Sequence, residues 1–376
     1  MRRILFVGHD ASRTGAPIIL LHLLRWFREN RPDRPFDLLL LKGGEIEADY
    51  REVCDVHVMP PKRAPRGAAD LVRKVRRRLG LPQRLAENDV PDLPIRPDIV
   101  VGNTILSLPV LDHFSRGGLA TVGWLHEMER LILDHYSPGQ FRRLCDRVDR
   151  LIFASERAAE VKQRFAVCSP HEIIYDFAPP MDSGGEPDEV LRGIPPGVFV
   201  VLGCGTVEPR KGVHLFAEVG SELTRKFADM YFIWLGARIS ETDGYARHVE
   251  AAAAGNERII FAGQRADVRA YFERADLFAL TSLEDPFPMV VMQAANFAAP
   301  TVCFARGGGI PEFVRDDAGG AVPLGDAGTF ADAVEQFYKD REKLKLAGET
   351  AKRKFETDFS MENSCRRIAS VIDSLL

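Results

Sequence analysis

Two adjacent bases, Arg210 and Lys211, follow a glycine turn in VVLGCGTVEPRKGVHLFAEV (residues 200–219), where an apolar run gives way to an amphipathic one. Fixed cations at the start of a helix can hold a phosphate leaving group and offset the charge that grows as it departs. The same two bases also read as solvated surface charges. Further on, LTSLEDPFPMVVMQAANFAAP (280–300) places Glu284 and Asp285 at a strand end, before Pro286, Pro288 and a helix. Such a pair also reads as a helix cap and nothing more. ARGGGIPEFV (305–314) then supplies a glycine run that admits close backbone approach before a helix opening at Pro311.

The N-terminal half carries weaker signals of the same kind. VGHDASRTGAP (7–17) puts Gly15 where a strand turns into a helix N-terminus, a place that favours an anion. It lacks the G-x-G-x-x-G dinucleotide fingerprint, so an ordinary turn glycine reads the same way. GNT (102–104) and LHE (125–127) bring Asn103, Thr104, His126 and Glu127 to strand ends, where open parallel sheets bind ligands. His126 also reads as a satisfied structural histidine.

The elements that must position these residues are legible as alternation. Apolar runs are read as strands at Ile4 to Val7, Leu38 to Leu41, Ile99 to Val101, Thr121 to Trp124 and Leu151 to Ala154. The second half gives Phe199 to Gly203, Tyr231 to Leu235, Ile259 to Phe261, Leu277 to Leu280 and Thr301 to Phe304. Amphipathic stretches separate them, the pattern of βαβ units whose strands are buried on both faces. The class is α/β, with two doubly wound Rossmann-like domains facing across a cleft. A Pro- and Gly-rich stretch, FAPPMDSGGEPDEVLRGIPPG, cannot propagate helix or ladder and marks the boundary. The expected division is an N-terminal domain 1–177, a linker 178–197, a C-terminal domain 198–354 and closing helices 355–376.

Length and composition agree with two cores. The chain has 376 residues, of which 45% are apolar and 28% charged, with a formal charge of -4. Nothing global marks a nucleic-acid binder. The first 176 residues carry 28 bases and 24 acids, the remainder 22 and 30, so the halves differ in sign. Six scattered cysteines form no C-x-x-C pair and no histidine cluster has zinc-ligand spacing. They read as reduced core thiols, with no metal expected. The Arg2-Arg3 start lacks a signal-peptide apolar region, and no run approaches the ~20 residues of a membrane span, so a cytoplasmic location is expected.

One segment stands apart. From Lys62 to Arg84 there are nine bases and one acid, with Leu71, Val72, Val75 and Leu79 at helical spacing. Arg73, Arg76, Arg77 and Arg78 are its candidate contacts to an anionic membrane on the cytoplasmic face, each contributing about 1 kcal/mol near the surface. A solvated helix, or a loop that orders on binding, reads equally well.

The order of these pieces resembles the GT-B glycosyltransferases, and within them the retaining group known as glycosyltransferase family four. The resemblance runs over nearly the whole chain and is most specific at Gly205 to Gly212, Glu284 to Gln293 and Gly307 to Glu312. It implies transfer of a sugar from a nucleotide diphosphate donor to a hydroxyl of a glycan or lipid-linked acceptor, with retention and without a cofactor or bound metal. The C-terminal domain would hold the donor, and the closing helices would return to the N-terminal one. By position Gly15 matches the loop near the donor diphosphate, and His126 the histidine near the transferred sugar. Lys211 matches the lysine that grips the diphosphate. Phe287, Pro288 and Met289 match the segment whose backbone amides face the sugar. The resemblance also sets Gly205, Thr206, Arg210 and Gln293 on the donor side, Asp285 among the reacting groups, and Asn103, Thr104 and Glu127 near sugar or acceptor.

The sequence departs from that pattern in three places. The family's diphosphate-binding arginine falls on Thr206, with Arg210 as the nearest substitute. Its two glutamates, separated by seven intervening residues, fall on Asp285 and Gln293, and Glu284 lies one residue out of register. A hydrogen bond to a charged group is worth ~1.5 to 3 kcal/mol against ~1 for a neutral one, so Gln293 weakens nucleotide binding rather than abolishing it. No nucleophile is evident, and the phosphate-style elements oppose a glycosidase, whose two carboxyls stand roughly 5 to 10 Å apart. Two other readings stay open. The chain is a catalytically weak GT-B protein that binds nucleotide or sugar as a sensor or partner, or it is a nucleotide-sugar epimerase or phosphorylase.

Overall fold

A computed structural model describes residues 2–60, 93–237 and 244–376. The chain forms two compact units, Met1–Tyr175 with Ser364–Leu376, and Asp176–Asn363.

The first unit is built on a seven-stranded parallel sheet. Its strands are β1 (Ile4–Gly8), β2 (Phe36–Leu40), β3 (Asp55–Val58), β4 (Ile99–Asn103), β5 (Ala120–Leu125), β6 (Arg150–Phe153) and β7 (His171–Ile173), in the order β3-β2-β1-β4-β5-β6-β7. β1 (ILFVG) and β4 (IVVGN) are buried at every residue, as a strand covered on both faces must be. The helix Gly15–Asn30 buries Ile19, Leu20, Leu23, Leu24 and Phe27, spaced to form one helical stripe. Phe27 meets Phe6 and Phe36 edge-on at 5.4 and 6.2 Å between centroids.

The second unit has a six-stranded parallel sheet. Its strands are β8 (Phe199–Cys204), β9 (Met230–Leu235), β10 (Ile259–Gly263), β11 (Leu277–Leu280), β12 (Thr301–Phe304) and β13 (Gly319–Val322), in the order β10-β9-β8-β11-β12-β13. Its core joins Phe216, Phe232 and Trp234 to Phe304, Phe330 and Val334. The stretch 178–197 belongs to this unit and contains a short helix, Glu189–Arg192, against the expectation that it carries none. Asp188 caps it through Val190 and Leu191 amides, and also accepts from Arg265 Nε at 2.6 Å and Tyr271 Oη at 2.7 Å.

In both sheets the strand order reverses beside the first strand, between β1 and β4 and between β8 and β11. Right-handed crossovers then send helices to opposite faces, leaving a crevice at the carboxyl ends of those two strands. The site candidates follow those ends, except His126 and Glu127, which follow the neighbouring end of β5. Three strands, β3, β7 and β13, were not anticipated. All are edge strands of three or four residues, whose DVHV, HEI and GGAV sequences have no continuous apolar run. The cysteines are also less uniform than core thiols, for Cys168 is exposed and Cys54 and Cys204 are half-buried.

Candidate functional site

In the second unit the β8 end makes the tightest construction. Gly205 has φ +153, and a Cβ there would stand 3.2 Å from the Lys211 side chain, so the glycine leaves room for the lysine stem. Trp234 Nε1 donates to Gly205 O at 2.9 Å, tying the turn to β9. Thr206 is half-buried in that turn. A 3-10 turn, Pro209–Lys211, leads to Gly212, whose φ of +62 starts the helix Val213–Lys226. A side chain at Gly212 would meet Thr281 O at 2.0 Å. The two neighbouring strand ends are thus in van der Waals contact.

Beside that contact, two side chains 74 positions apart meet. Lys211 Nζ donates to Asp285 Oδ2 at 2.5 Å, and Ser282 Oγ donates to the same oxygen at 3.2 Å. The Asp285 side chain is 9% exposed and that of Lys211 14%. Arg210 donates to Glu208 Oε1 at 2.7 Å and to Glu284 O at 2.9 Å, with Asp285 Oδ1 3.9 Å away. The two bases are therefore matched by two carboxylates, and an anion entering here must compete with them. Behind them, a Cβ on Gly308 would fall 1.6 Å from Asp285 O. This close approach is what the glycine run provides. Burial raises the neighbouring Cys204 thiol to about 12, against a smaller opposing effect of Lys211.

Phe287 turns its ring into the unit, stacking on Phe359 at 5.9 Å with planes 4° apart. Pro288 precedes the helix Met289–Asn296, on which Met289 and Gln293 are half-buried.

In the first unit, Gly15 opens its helix with nothing within 4 Å of where a Cβ would stand. Asn103 closes β4 and is 1% exposed. Its Nδ2 donates to Ala16 O at 3.1 Å, and its Oδ1 lies 2.6 Å from His126 Nε2. Thr104 follows at φ 78, ψ 162, a region almost reserved for glycine. Its buried hydroxyl has no hydrogen-bond partner. Beyond this bend Ile105 N donates to Glu127 Oε2 at 3.0 Å, and His126 N donates to the same oxygen at 3.1 Å. Burial raises the Glu127 carboxyl above its ordinary range, more than His126 and the two amides lower it.

The structure thus brings Asn103, Thr104, His126 and Glu127 together, and separately Gly205, Thr206, Arg210, Lys211 and Asp285. Arg73, Arg76, Arg77 and Arg78 lie outside the described residues. Spacing gave no sign of Ser282, Glu208 or Trp234 in the second unit. Nor did it mark His9, whose imidazole is lowered by burial and feels Asp10, His126 and His135. Each stands at or just beyond a strand end, but only the strand order says which ends meet. Among the described residues, no group of three or more His, Cys, Asp or Glu is placed to hold a metal, and no helix is long and apolar enough to cross a membrane.

Residues 198–340 match the family model described as Glycosyl transferases group 1. Lipopolysaccharide core biosynthesis mannosyltransferase LpcC of Rhizobium leguminosarum bv. viciae is 25% identical over 242 residues, 62% of this chain and 66% of the relative. Alpha-galactosylglucosyldiacylglycerol synthase of Streptococcus pneumoniae is 33% identical over 122 residues, 30% of this chain and 32% of the relative. The chain thus spans less than two thirds of either relative. Among solved structures, Anabaena Alr3699/HepE in complex with UDP has a TM-score of 0.79 at 20% identity and covers 100% of both chains. The lipopolysaccharide outer core galactosyltransferase WaaB in its apo form has a TM-score of 0.70 at 15% identity, again over 100% of both chains. Its two units thus have the GT-B fold of these glycosyltransferase structures, and residues 198–340 carry the match to the glycosyl transferases group 1 model.

Proposed function

We propose that the chain is a retaining glycosyltransferase that moves a hexose-type sugar from a nucleotide diphosphate sugar to a hydroxyl of a glycan or lipid-linked acceptor, in surface polysaccharide or glycoconjugate assembly. The observation that carries this reading is Lys211, held at the β8–β11 switch point by Asp285, within the segment that matches the family. The similarity to a lipopolysaccharide core biosynthesis mannosyltransferase and to an alpha-galactosylglucosyldiacylglycerol synthase supports the acceptor class. The UDP bound to HepE supports the donor class.

In this reading Lys211, with Arg210 beside it, offsets the charge that develops on the departing diphosphate. Asp285 gives up Lys211 to the phosphates and accepts hydroxyls of the sugar. The acceptor oxygen attacks from the face the leaving group vacates, so no enzyme nucleophile is required. Asn103, Thr104, His126 and Glu127 of the first unit serve the sugar or acceptor side. No step calls on a metal. The matching of Arg210 and Lys211 by Glu208 and Asp285 favours a second reading, a GT-B protein of weak activity that binds nucleotide as a sensor or partner.

Calorimetric titration with UDP, GDP, ADP, TDP and CMP in EDTA separates the two, followed by turnover of sugar nucleotides bearing the diphosphate that binds. Selective metal-free binding with transfer and an unchanged anomeric configuration is the expected result. Binding without turnover moves the conclusion to the second reading, and binding to none of the five rejects both.

A further inference from the structure

The Asn103 side chain is oriented by a group that leaves it no choice. Ala16 O is a backbone carbonyl and can only accept, so the Asn103 NH2 faces it, at 3.1 Å. The amide oxygen is then the atom turned to His126, 2.6 Å from Nε2. That oxygen also can only accept, so Nε2 carries a proton and, in the neutral ring, Nδ1 carries the lone pair. We infer that Asn103 is a positioning residue that locks His126 in the Nε2–H tautomer and ties its ring to the first turn of the helix Gly15–Asn30.

Three further features converge on this arrangement. Asn103 and His126 are 1% and 8% exposed, so water has little access to exchange for the amide. The indole of Trp124 lies against the imidazole, 4.5 Å between centroids and tilted by 54°, fixing the ring plane. Glu127 Oε2 holds the amides of both Ile105 and His126, clamping the two strand-end loops from which Asn103 and His126 project. The strained Thr104 lies between Asn103 and that clamp. Strain and a buried carboxyl are features a chain retains where geometry at a site matters more than local stability.

The chemical consequence is a division of labour in the ring. Nε2–H is spent inside the protein on Asn103, which leaves Nδ1 as the nitrogen that accepts in the neutral ring.

The test uses the full chain labelled with ring-15N histidine and long-range 1H–15N correlation, with the His126 signals identified by their loss in His126→Gln. In the unsubstituted protein at neutral pH, His126 is expected as the Nε2–H tautomer. Asn103→Leu removes the acceptor, and its His126 signals move toward the average of the two tautomers. Asn103→Asp keeps an oxygen acceptor and so keeps the tautomer. The added charge also raises the His126 titration midpoint by about one pH unit or more, a shift that a merely space-filling side chain would not produce. Among the described residues His9 after β1 and Glu127 beside it are electrostatically coupled to His126, with Asp10 acting on His9 and His135, on the helix Glu129–His135, acting on both. An Nδ1–H or averaged His126 in the unsubstituted protein overturns the inference, as does an unchanged signature in Asn103→Leu. If Asn103→Leu does not fold, the unsubstituted tautomer and the Asn103→Asp midpoint decide the matter. Because none of these readouts needs turnover, loss of the glycosyltransferase reading and loss of this one are told apart.

Discussion

Lys211 Nζ lies 2.5 Å from Asp285 Oδ2, a nearly buried ion pair linking the ends of β8 and β11. A nucleotide diphosphate that uses Lys211 must draw it from this partner. The two substitutions should therefore move binding in opposite directions. Lys211→Ala is expected to weaken the preferred nucleoside diphosphate at least tenfold, about 1.4 kcal/mol. Asp285→Asn keeps an acceptor for Ser282 while removing the competing charge, and is expected to tighten the bare diphosphate by several-fold, about 1 kcal/mol. Calorimetry on both variants checks this. Looser binding by Asp285→Asn would show that Asp285 aims Lys211 rather than competing for it.

Gly212 is where the cation loop touches β11. Its φ is +62, and an added Cβ would stand 2.0 Å from Thr281 O, so Gly212→Ala meets both backbone strain and a clash with a backbone atom. A loss of about 2 kcal/mol or more is expected, and a melting temperature lower by several degrees. Thermal unfolding reads it directly. A variant as stable as the parent would mean that the two strand ends separate easily, and the fixed placement of Lys211 would fall with them.

How much of this the sequence disclosed depends on what each feature is made of. β8 and β4 were legible because a strand buried on both faces is apolar without interruption. β3, β7 and β13 were not, because an edge strand is half-solvated and too short for a period to repeat. Gly205 and Lys211 were legible as residue types at a strand end. Their partners Trp234, Ser282 and Asp285 come from strand ends brought near by sheet order, which spacing along the chain does not encode. Thr104 was the least legible, since its backbone conformation belongs to glycine and its side chain gives no hint of it.

Thr104 carries two burdens, a strained φ of 78 and a buried hydroxyl without a partner. Together they are worth roughly 2 to 5 kcal/mol. Glycine would remove both, while surrendering a buried methyl group and gaining freedom in the unfolded chain, roughly 1 to 2 kcal/mol in all. Thr104→Gly is therefore expected to stabilise the protein by about 1 kcal/mol or more, measured by denaturant unfolding. A destabilised variant would show that the surroundings relax around the threonine better than its geometry indicates.

Gln293 occupies a half-buried place on the helix Met289–Asn296, where the family resemblance sets a carboxylate for the ribose hydroxyls. Gln293→Glu should then tighten a nucleoside diphosphate by about tenfold, since a charged acceptor adds ~1 kcal/mol or more over a neutral one. A 2′,3′-dideoxy diphosphate, lacking those hydroxyls, should gain nothing. Equal gains for the two ligands would place the effect in the phosphates, and no gain for either would show that this helix has another use.

His22 supplies the acid-side dependence. Burial in the helix Gly15–Asn30, aided by the charge of Arg25, pushes its imidazole down to about 4. The unfolded chain takes up a proton near pH 6.5 while the folded chain resists until about pH 4, so between those values the unfolded state binds more protons. Stability from this group is fully present above pH 6.5 and falls as the pH drops through the window, by ~3 kcal/mol in total. His22→Gln removes the titration. Urea unfolding of both proteins at pH 7, 5.5 and 4 should show the variant gaining on the parent by ~2 to 3 kcal/mol as the pH falls. The comparison cancels the other titrating groups, which both proteins share. A difference that stays constant with pH would mean that His22 is hydrated in the folded state, and that the helix packs more loosely against β1 than its buried leucines indicate.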